Sequence, residues 1–209
     1  MTSVCRYGEV EIVFLKHAGF KIKGSKTVYI DPYDLPQNAE LEKADYILIT
    51  HDHFDHRDIK AIRLLSDEHT TVVVPTGCMV EGYRTCELDI GEEEKLEGLT
   101  VKTVPAYNID KPFHPRGSGA GYIIEIDGVK IYHAGDTDFI PEMKEIEVDV
   151  ALIPVGGKYT MDLEQAKEAL EAIKADKVIP MHYGVLPETQ ADVEKLKSAK
   201  VVALEPLFE

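Results

Sequence analysis

Five residues of metal-ligand type occupy six positions in His51-Asp52-His53-Phe54-Asp55-His56, directly after the apolar run Tyr46-Ile47-Leu48-Ile49-Thr50. The run reads as a buried strand that leaves the core and delivers ligands at its end. His51 and His53 are two apart, so in extended backbone their side chains lean to the same side. Asp55 and His56 lie past the strand, where a turn can aim them at a neighbouring point. Neutral imidazole and carboxylate suit zinc, iron or manganese, and the lack of a nearby cysteine argues against a thiolate structural site. Packing gains nothing from such a cluster, and charge gathered beside a core is costly unless something neutralises it. The stretch therefore reads as a metal site, and a two-metal one.

The chain's 209 residues can bury one large core, and no linker, repeat or low-complexity tract divides them, so a single domain over 1–209 is expected. No apolar run approaches membrane-spanning length and the start lacks an apolar leader, which predicts a cytoplasmic protein without membrane partners. Cys5, Cys78 and Cys86 form no metal-type pair and leave one unpaired in any disulfide scheme, which fits a reducing compartment. The net charge of −15, from 23 basic and 38 acidic side chains, would repel a polynucleotide, so no nucleic-acid partner is expected.

Strand-like runs are Val10–Leu15, Thr27–Ile30, Tyr46–Thr50, Thr71–Val74, Leu99–Val104, Tyr122–Ile126, Val129–His133, Val150–Pro154, Val178–Met181 and Val201–Leu204. Asp127-Gly128 between two of them is a hairpin signal. Helical spacing appears at Ile59, Ile62, Leu65 and at Leu163, Ala166, Leu170, Ile173, the second with Asp162 and Gln165 as a plausible start. Strands dominate the first half, and helix and strand alternate in the second. That order suits two packed sheets flanked by helices, with loops converging at one edge.

Two further segments repeat the design of a strand ending in a ligand: Lys130-Ile131-Tyr132-His133-Ala134-Gly135-Asp136-Thr137-Asp138, which turns at Gly135, and Val178-Ile179-Pro180-Met181-His182-Tyr183-Gly184. A carboxylate between two divalent cations is the usual bridge in dinuclear sites, and Asp136 is the natural candidate. With these segments the chain resembles the metallo-β-lactamase-fold superfamily of metal-dependent hydrolases. It is most similar to the small single-domain branch that includes ascorbate-6-phosphate lactonase-like proteins. The resemblance is carried by Phe14–Phe20, Ile30–Tyr33, Thr50–His56, Tyr132–Thr137, Pro154–Met161 and Pro180–Gly184, which occur in family order.

The resemblance implies an α+β fold, a four-layer αββα sandwich. It implies His51 and His53 on a first metal, Asp55, His56 and His182 on a second, and Asp136 as the bridge. Asp31 falls where the family keeps a buried acidic residue supporting the site; a turn residue before Pro32 is the plainer reading. His17 lies close to the site in the family, as support, as a substrate contact or as core packing. His133, alternating along its strand before the Asp136 turn, is a weaker candidate for a site contact.

The sequence departs from the pattern at the third ligand of the first metal. Asn108 stands near the position where many relatives have a histidine, and His114 follows six residues later in Pro105-Ala106-Tyr107-Asn108-Ile109-Asp110-Lys111-Pro112-Phe113-His114-Pro115. Imidazole is a good zinc ligand and an amide oxygen a weak one, so His114 is the expected ligand and Asn108 a hydrogen-bonding neighbour or substrate contact. Lys158, Lys111 and Arg116 are candidate cations for a phosphate or carboxylate, with ordinary exposed side chains as the alternative. Gly117, Gly119 and Gly121 suggest a mobile loop or one that closely approaches substrate.

Two divalent cations, zinc with manganese or iron as alternatives, would hold a hydroxide at neutral pH for attack on a carbonyl carbon or phosphorus. His114, if not a ligand, would be a candidate acid for the leaving group, with Asp55 and Asp136 completing the catalytic set. The expected reaction is hydrolysis of a lactone, ester or phosphodiester in a small anionic substrate, by a chain for which a homo-oligomer stays open. No Gly-x-Ser-x-Gly elbow offers a serine nucleophile. An amidohydrolase barrel needs eight strand–helix repeats, which the strand-rich first half does not supply. An iron-dependent redox protein or a non-catalytic metal-binding protein on the same fold is the alternative reading.

Overall fold

The computed structural model describes residues 2–208. Among them, seven strands form a first sheet in chain order: β1 (Val4–Tyr7), β2 (Val10–Lys16), β3 (Gly19–Lys23), β4 (Thr27–Ile30), β5 (Tyr46–Leu48), β6 (Thr71–Pro75) and β7 (Arg84–Leu88). Pairing is antiparallel from β1 to β4 and parallel from β4 to β7. Six strands form the second sheet, again neighbour by neighbour: β8 (Glu93–Leu96), β9 (Leu99–Pro105), β10 (Ala120–Ile126), β11 (Val129–His133), β12 (Glu147–Pro154) and β13 (Lys174–Met181). It too begins antiparallel and ends parallel, the change falling at β11. Helix α1 (Ile59–Leu65) connects β5 to β6, and α2 (Leu163–Ala172) connects β12 to β13.

Residue alternation assigns the layers. Ile12, Phe14, Ile22, Ile30 and Leu48 of the first sheet meet Tyr122, Ile124, Ile131, Val150 and Ile179 of the second in one core between the sheets. Val13, Leu15, Tyr29, Ile47 and Val72 face the other way and pack with Ala61, Ile62 and Leu65 of α1. Tyr132, Ala151, Ile153 and Val178 pack with Ala166, Ala169 and Leu170 of α2. Helix, sheet, sheet, helix is the αββα sandwich. Each helix starts where an aspartate caps it: Asp58 accepts from the Lys60 and Ala61 amides, and Asp162 from those of Glu164 and Gln165. Asp127 and Gly128, at φ of 50° and 77°, make the expected tight turn between β10 and β11.

Some expected elements differ. β5 stops at Leu48 because the Thr50 amide turns to Asp31 Oδ1 at 2.8 Å. Val201–Leu204 is no strand: it contributes a single bridge from Val201 to Val178. β1, β3, β7 and β8 were not expected. β7 and β8 are short and mostly exposed, so they carry little alternation to read. Cys5, Cys78 and Cys86 are free thiols, and among the described residues no helix is long and apolar enough to cross a membrane.

Candidate metal centre

The parallel strands of both sheets run towards one edge, the usual place for a site in such sheets. His51–His56 follow β5, His114 lies in the loop after β9, Asp136 in the turn after β11, and His182 just past β13. Their donor atoms fall into overlapping sets. His51, His53 and His114 form one; His17, Asp55, His56 and His182 form another; His51, His56 and Asp136 link them, and within each set the donors lie within 4.8 Å of one another. In the first set His53 Nδ1 is 3.0 Å from His51 Nε2 and 3.2 Å from His114 Nε2. Asp136 stands between the sets, with Oδ2 at 2.9 Å from His182 Nε2 and 3.4 Å from His114 Nε2, and Oδ1 at 3.3 Å from His56 Nε2.

The residues behind these atoms fix which nitrogen faces the centre. Asp31 is fully buried, and its Oδ2 accepts from His56 Nδ1 at 2.7 Å and from the Thr50 hydroxyl at 2.6 Å. That hydroxyl has spent its only hydrogen on Asp31, so towards His51 Nδ1, 2.9 Å away, it can only accept. His51 and His56 therefore both carry their proton on Nδ1 and turn Nε2 inward. Asn108 does the same for His114: its Oδ1 accepts from the His114 amide and from His114 Nδ1, each at 3.0 Å, while its amide group donates to Tyr159 O at 2.9 Å. Thus Asn108 holds the ring and His114 Nε2 faces the cluster, where it can act as a ligand.

His17 is buried and donates from Nε2 to Asp55 Oδ2 at 3.0 Å. Its carbonyl accepts the His182 amide at 2.7 Å. Both histidines adopt left-handed backbone, at φ of 58°, a conformation costing about 1–2 kcal/mol for a side-chain-bearing residue. His133 does not touch the ligand atoms. It donates from Nε2 to Ala18 O at 2.9 Å and accepts the Gly135 amide on Nδ1, so it ties the Asp136 turn to the β2–β3 turn of the opposite sheet.

The donor set fits a bound cation. Buried His56 Nε2, Asp136 Oδ1 and both ring nitrogens of His182 have no hydrogen-bond partner, and His182 Nε2 is close to Asp136 without being aligned to donate. Orphaned polar atoms of this kind are rare in a folded interior and demand a partner. Burial alone would raise the Asp136 and Asp55 carboxyls. The histidines outweigh it, His182 and His56 holding Asp136 well below the usual range, and the His17 hydrogen bond with His56 lowering Asp55. Burial would lower His56, but Asp136 and Asp31 hold it well above its ordinary value. Burial pushes His51 and His114 down, leaving them the neutral imidazoles that ligation needs.

A cavity of about 380 Å³ opens onto the centre, lined by His53, Asp55, His114, Asp136 and His182 and walled by Phe54, Phe113, Tyr159, Leu186 and Glu188. A larger hollow of about 570 Å³ around Lys130, Asp149 and Asp176 lies at the opposite strand ends and holds no converging donor set. The candidate cations are each engaged by protein groups. Lys111 Nζ binds Asp138 Oδ1 at 2.6 Å, Arg116 binds Glu142 at 2.8 Å, and half-exposed Lys158 sits 5.2 Å over the Tyr159 ring and 3.8 Å from Glu188. Two of the glycines after His114 serve packing: a Cβ at Gly119 would lie 2.7 Å from His51 Cβ, and one at Gly121 2.9 Å from the His133 and Ala134 carbonyls, whereas Gly117, at φ of 88°, has open space around it and serves the turn. Thr50 and the cavity wall escaped the sequence reading. Phe54 and Phe113 beside ligands were the available signal, being large apolar residues where packing does not ask for them.

Residues 11–182 match the family described as the beta-lactamase superfamily domain. A UPF0173 metal-dependent hydrolase of Thermococcus onnurineus is 37% identical over 94% of this chain and 97% of that protein. A crystal structure from Parabacteroides distasonis, described as that of a metal-dependent hydrolase, superposes with a TM-score of 0.84 at 30% identity, covering 99% of this chain and all of that one (100%). Igni18, a metallo hydrolase of Ignicoccus hospitalis, does so with a TM-score of 0.77 at 29% identity, over 94% and 95% of the two chains. With the αββα sandwich and its edge-borne donors, these likenesses make the chain a member of the metallo-β-lactamase superfamily of metal-dependent hydrolases.

Proposed function

We propose that the enzyme binds two divalent ions, zinc with manganese or iron as alternatives, and hydrolyses an ester-type bond: a lactone, carboxylic ester or phosphodiester. The observation that carries this reading is Asp136, whose carboxylate stands between the His51–His53–His114 set and the His17–Asp55–His56–His182 set, in which His17 Nε2 is committed to Asp55 and the other three are left to hold an ion. When bound, two such ions supply a Lewis acid for the substrate oxygen and lower the pKa of a coordinated water. Around them the chain's own residues fix orientation. Asp31 and Thr50 aim His51 and His56, Asn108 aims His114, and His17 holds one oxygen of Asp55.

Among the described residues no serine, threonine or cysteine lines the cavity, which favours water as the nucleophile over an acyl-enzyme route. His114 has Nδ1 bonded to Asn108 and Nε2 turned to the cluster, which favours a ligand over a free acid. The test is metal content and turnover together. His182→Ala and Asp55→Ala should each lose bound metal and all hydrolysis of 4-nitrophenyl esters and bis(4-nitrophenyl) phosphate, with the circular dichroism of the wild type. Full activity in either variant would sink the reading.

A further inference from the structure

The wall of the active cavity differs from its floor. Phe54 stands between His53 and Asp55 with 69% of its surface exposed, and Phe113, beside His114, with 37%. Phe113 meets the Tyr159 ring edge-on at 4.8 Å, and Phe54 meets Tyr33 at 6.0 Å. Leu186 completes an apolar rim drawn from four separate loops. Exposed aromatic side chains gathered at a catalytic mouth are the informative kind of exposure, since folding gains nothing by leaving them in water. Charge is distributed to match. Lys111 and Arg116 are spent on Asp138 and Glu142, and Lys158 is spent on Tyr159 and Glu188, 5.2 Å over the ring of the one and 3.8 Å from the carboxylate of the other. Among the described residues the wall carries no lysine or arginine, and outside the ligand sets its one charged side chain is Glu188.

We propose that the site takes an uncharged carboxylic ester or lactone bearing an aryl or branched alkyl group, held between Phe54 and the Phe113–Tyr159 pair. This rests on the hydrolase reading above and departs from the anionic substrate that the sequence suggested. Metal held by the His and Asp donors would supply positive charge only at the floor, for the oxygen of the reacting carbonyl. A second, remote carboxylate or phosphate on the substrate would lose its hydration against aromatic rings, and the nearest cation, Lys158, is already paired with Glu188. In the reaction, the oxygen of water bonds to the acyl carbon and the acyl C–O bond breaks. One proton of the water goes to the departing alkoxide, and the other is released from the carboxylic acid product.

Binding of hydroxamates, read by calorimetry, tests the wall without turnover. Zinc-loaded protein would be titrated with acetohydroxamate, benzohydroxamate and 4-carboxybenzohydroxamate, beside a Phe54→Ala/Phe113→Ala double variant whose zinc content is measured in parallel. Benzohydroxamate should bind about tenfold or more tighter than acetohydroxamate, the gain expected for burying a phenyl group. The 4-carboxylate should cancel that gain, and the double variant should lose it with zinc unchanged. Equal binding of acetohydroxamate and benzohydroxamate, or tighter binding of the carboxylate, would overturn the proposal and leave the hydrolase reading standing. A matched panel of phenyl acetate, an aryl lactone and 4-carboxyphenyl acetate separates the two ideas. Cleavage of the neutral esters in preference supports both. No cleavage of any ester or phosphodiester by protein that keeps the hydroxamate ranking overturns the hydrolase reading, and the ester with it.

Discussion

Asp31→Asn is the substitution that asks most of the centre. It is nearly isosteric, at a residue fully buried with three hydrogen bonds. The carboxamide can keep Oδ1 on the Thr50 amide, but an NH₂ then replaces Oδ2, facing the Thr50 hydroxyl and His56 Nδ1–H. Two charge-assisted bonds, each worth about 1.5–3 kcal/mol, become donor-to-donor contacts. His56 can relieve its clash only by moving its proton to Nε2, which removes the lone pair turned towards Asp136. His51 is affected at one remove, because Thr50 must reorient to find an acceptor. Changes behind metal-ligating histidines typically cost about 10–100-fold in metal affinity, or roughly 1.4–2.8 kcal/mol, and this one should fall in that range for the ion held through His56. The assay equilibrates wild type and variant with chelators of graded strength and counts bound metal by elemental analysis. Folding stability is measured separately on metal-free protein. Wild-type affinity for both ions, or loss confined to the His51–His53–His114 ion, would refute the argument.

Asn108→Ala removes the acceptor shared by the His114 amide and ring, so the His51–His53–His114 ion should bind about tenfold or more weakly while the other is kept; unchanged stoichiometry under a competing chelator would count against it. Gly156→Ala would set a Cβ 2.2 Å from the His182 carbonyl oxygen and 3.0 Å from Thr189 Cβ. The clash should cost about 1–3 kcal/mol, lowering Tm by roughly 2–12 °C and loosening the His182 ion, and a wild-type melting curve would show the estimate to be wrong.

Much of this centre could be read from the chain because each ligand sits where a buried run stops. Tyr46–Thr50, Val129–His133 and Val178–Met181 are apolar enough to be strands on their own evidence, and the residues after them have no structural excuse for their polarity. What escaped has a common cause: it depends on partners far away in the chain. The Thr50 hydroxyl is one of many in the sequence until Asp31 and His51 are brought against it. His133 lies on a strand leading to a ligand, but only the facing sheet shows that its Nε2 is committed to Ala18. Lys111, Arg116 and Lys158 looked available for a substrate anion, and Asp138, Glu142 and Glu188, which occupy them, are 27, 26 and 30 residues further along. The edge strands β7 and β8 were missed for a different reason. With both faces largely in water, nothing imposes a period of two on them.

The strand order carries a consequence for biosynthesis. In each sheet every strand lies beside its neighbour in sequence, so residues 4–88 and 93–181 each contain a complete sheet. Such an arrangement lets each half collapse from contacts close in the chain, with docking of the halves left to last. Both donor sets straddle that joint, and His182 leaves the ribosome only after the last strand of the second sheet. A full coordination sphere therefore exists only once the two halves have closed on each other. A cation binding at that stage would meet a finished cage rather than a pliable peptide, and selection among competing metals would rest on geometry as well as on raw affinity, which favours copper.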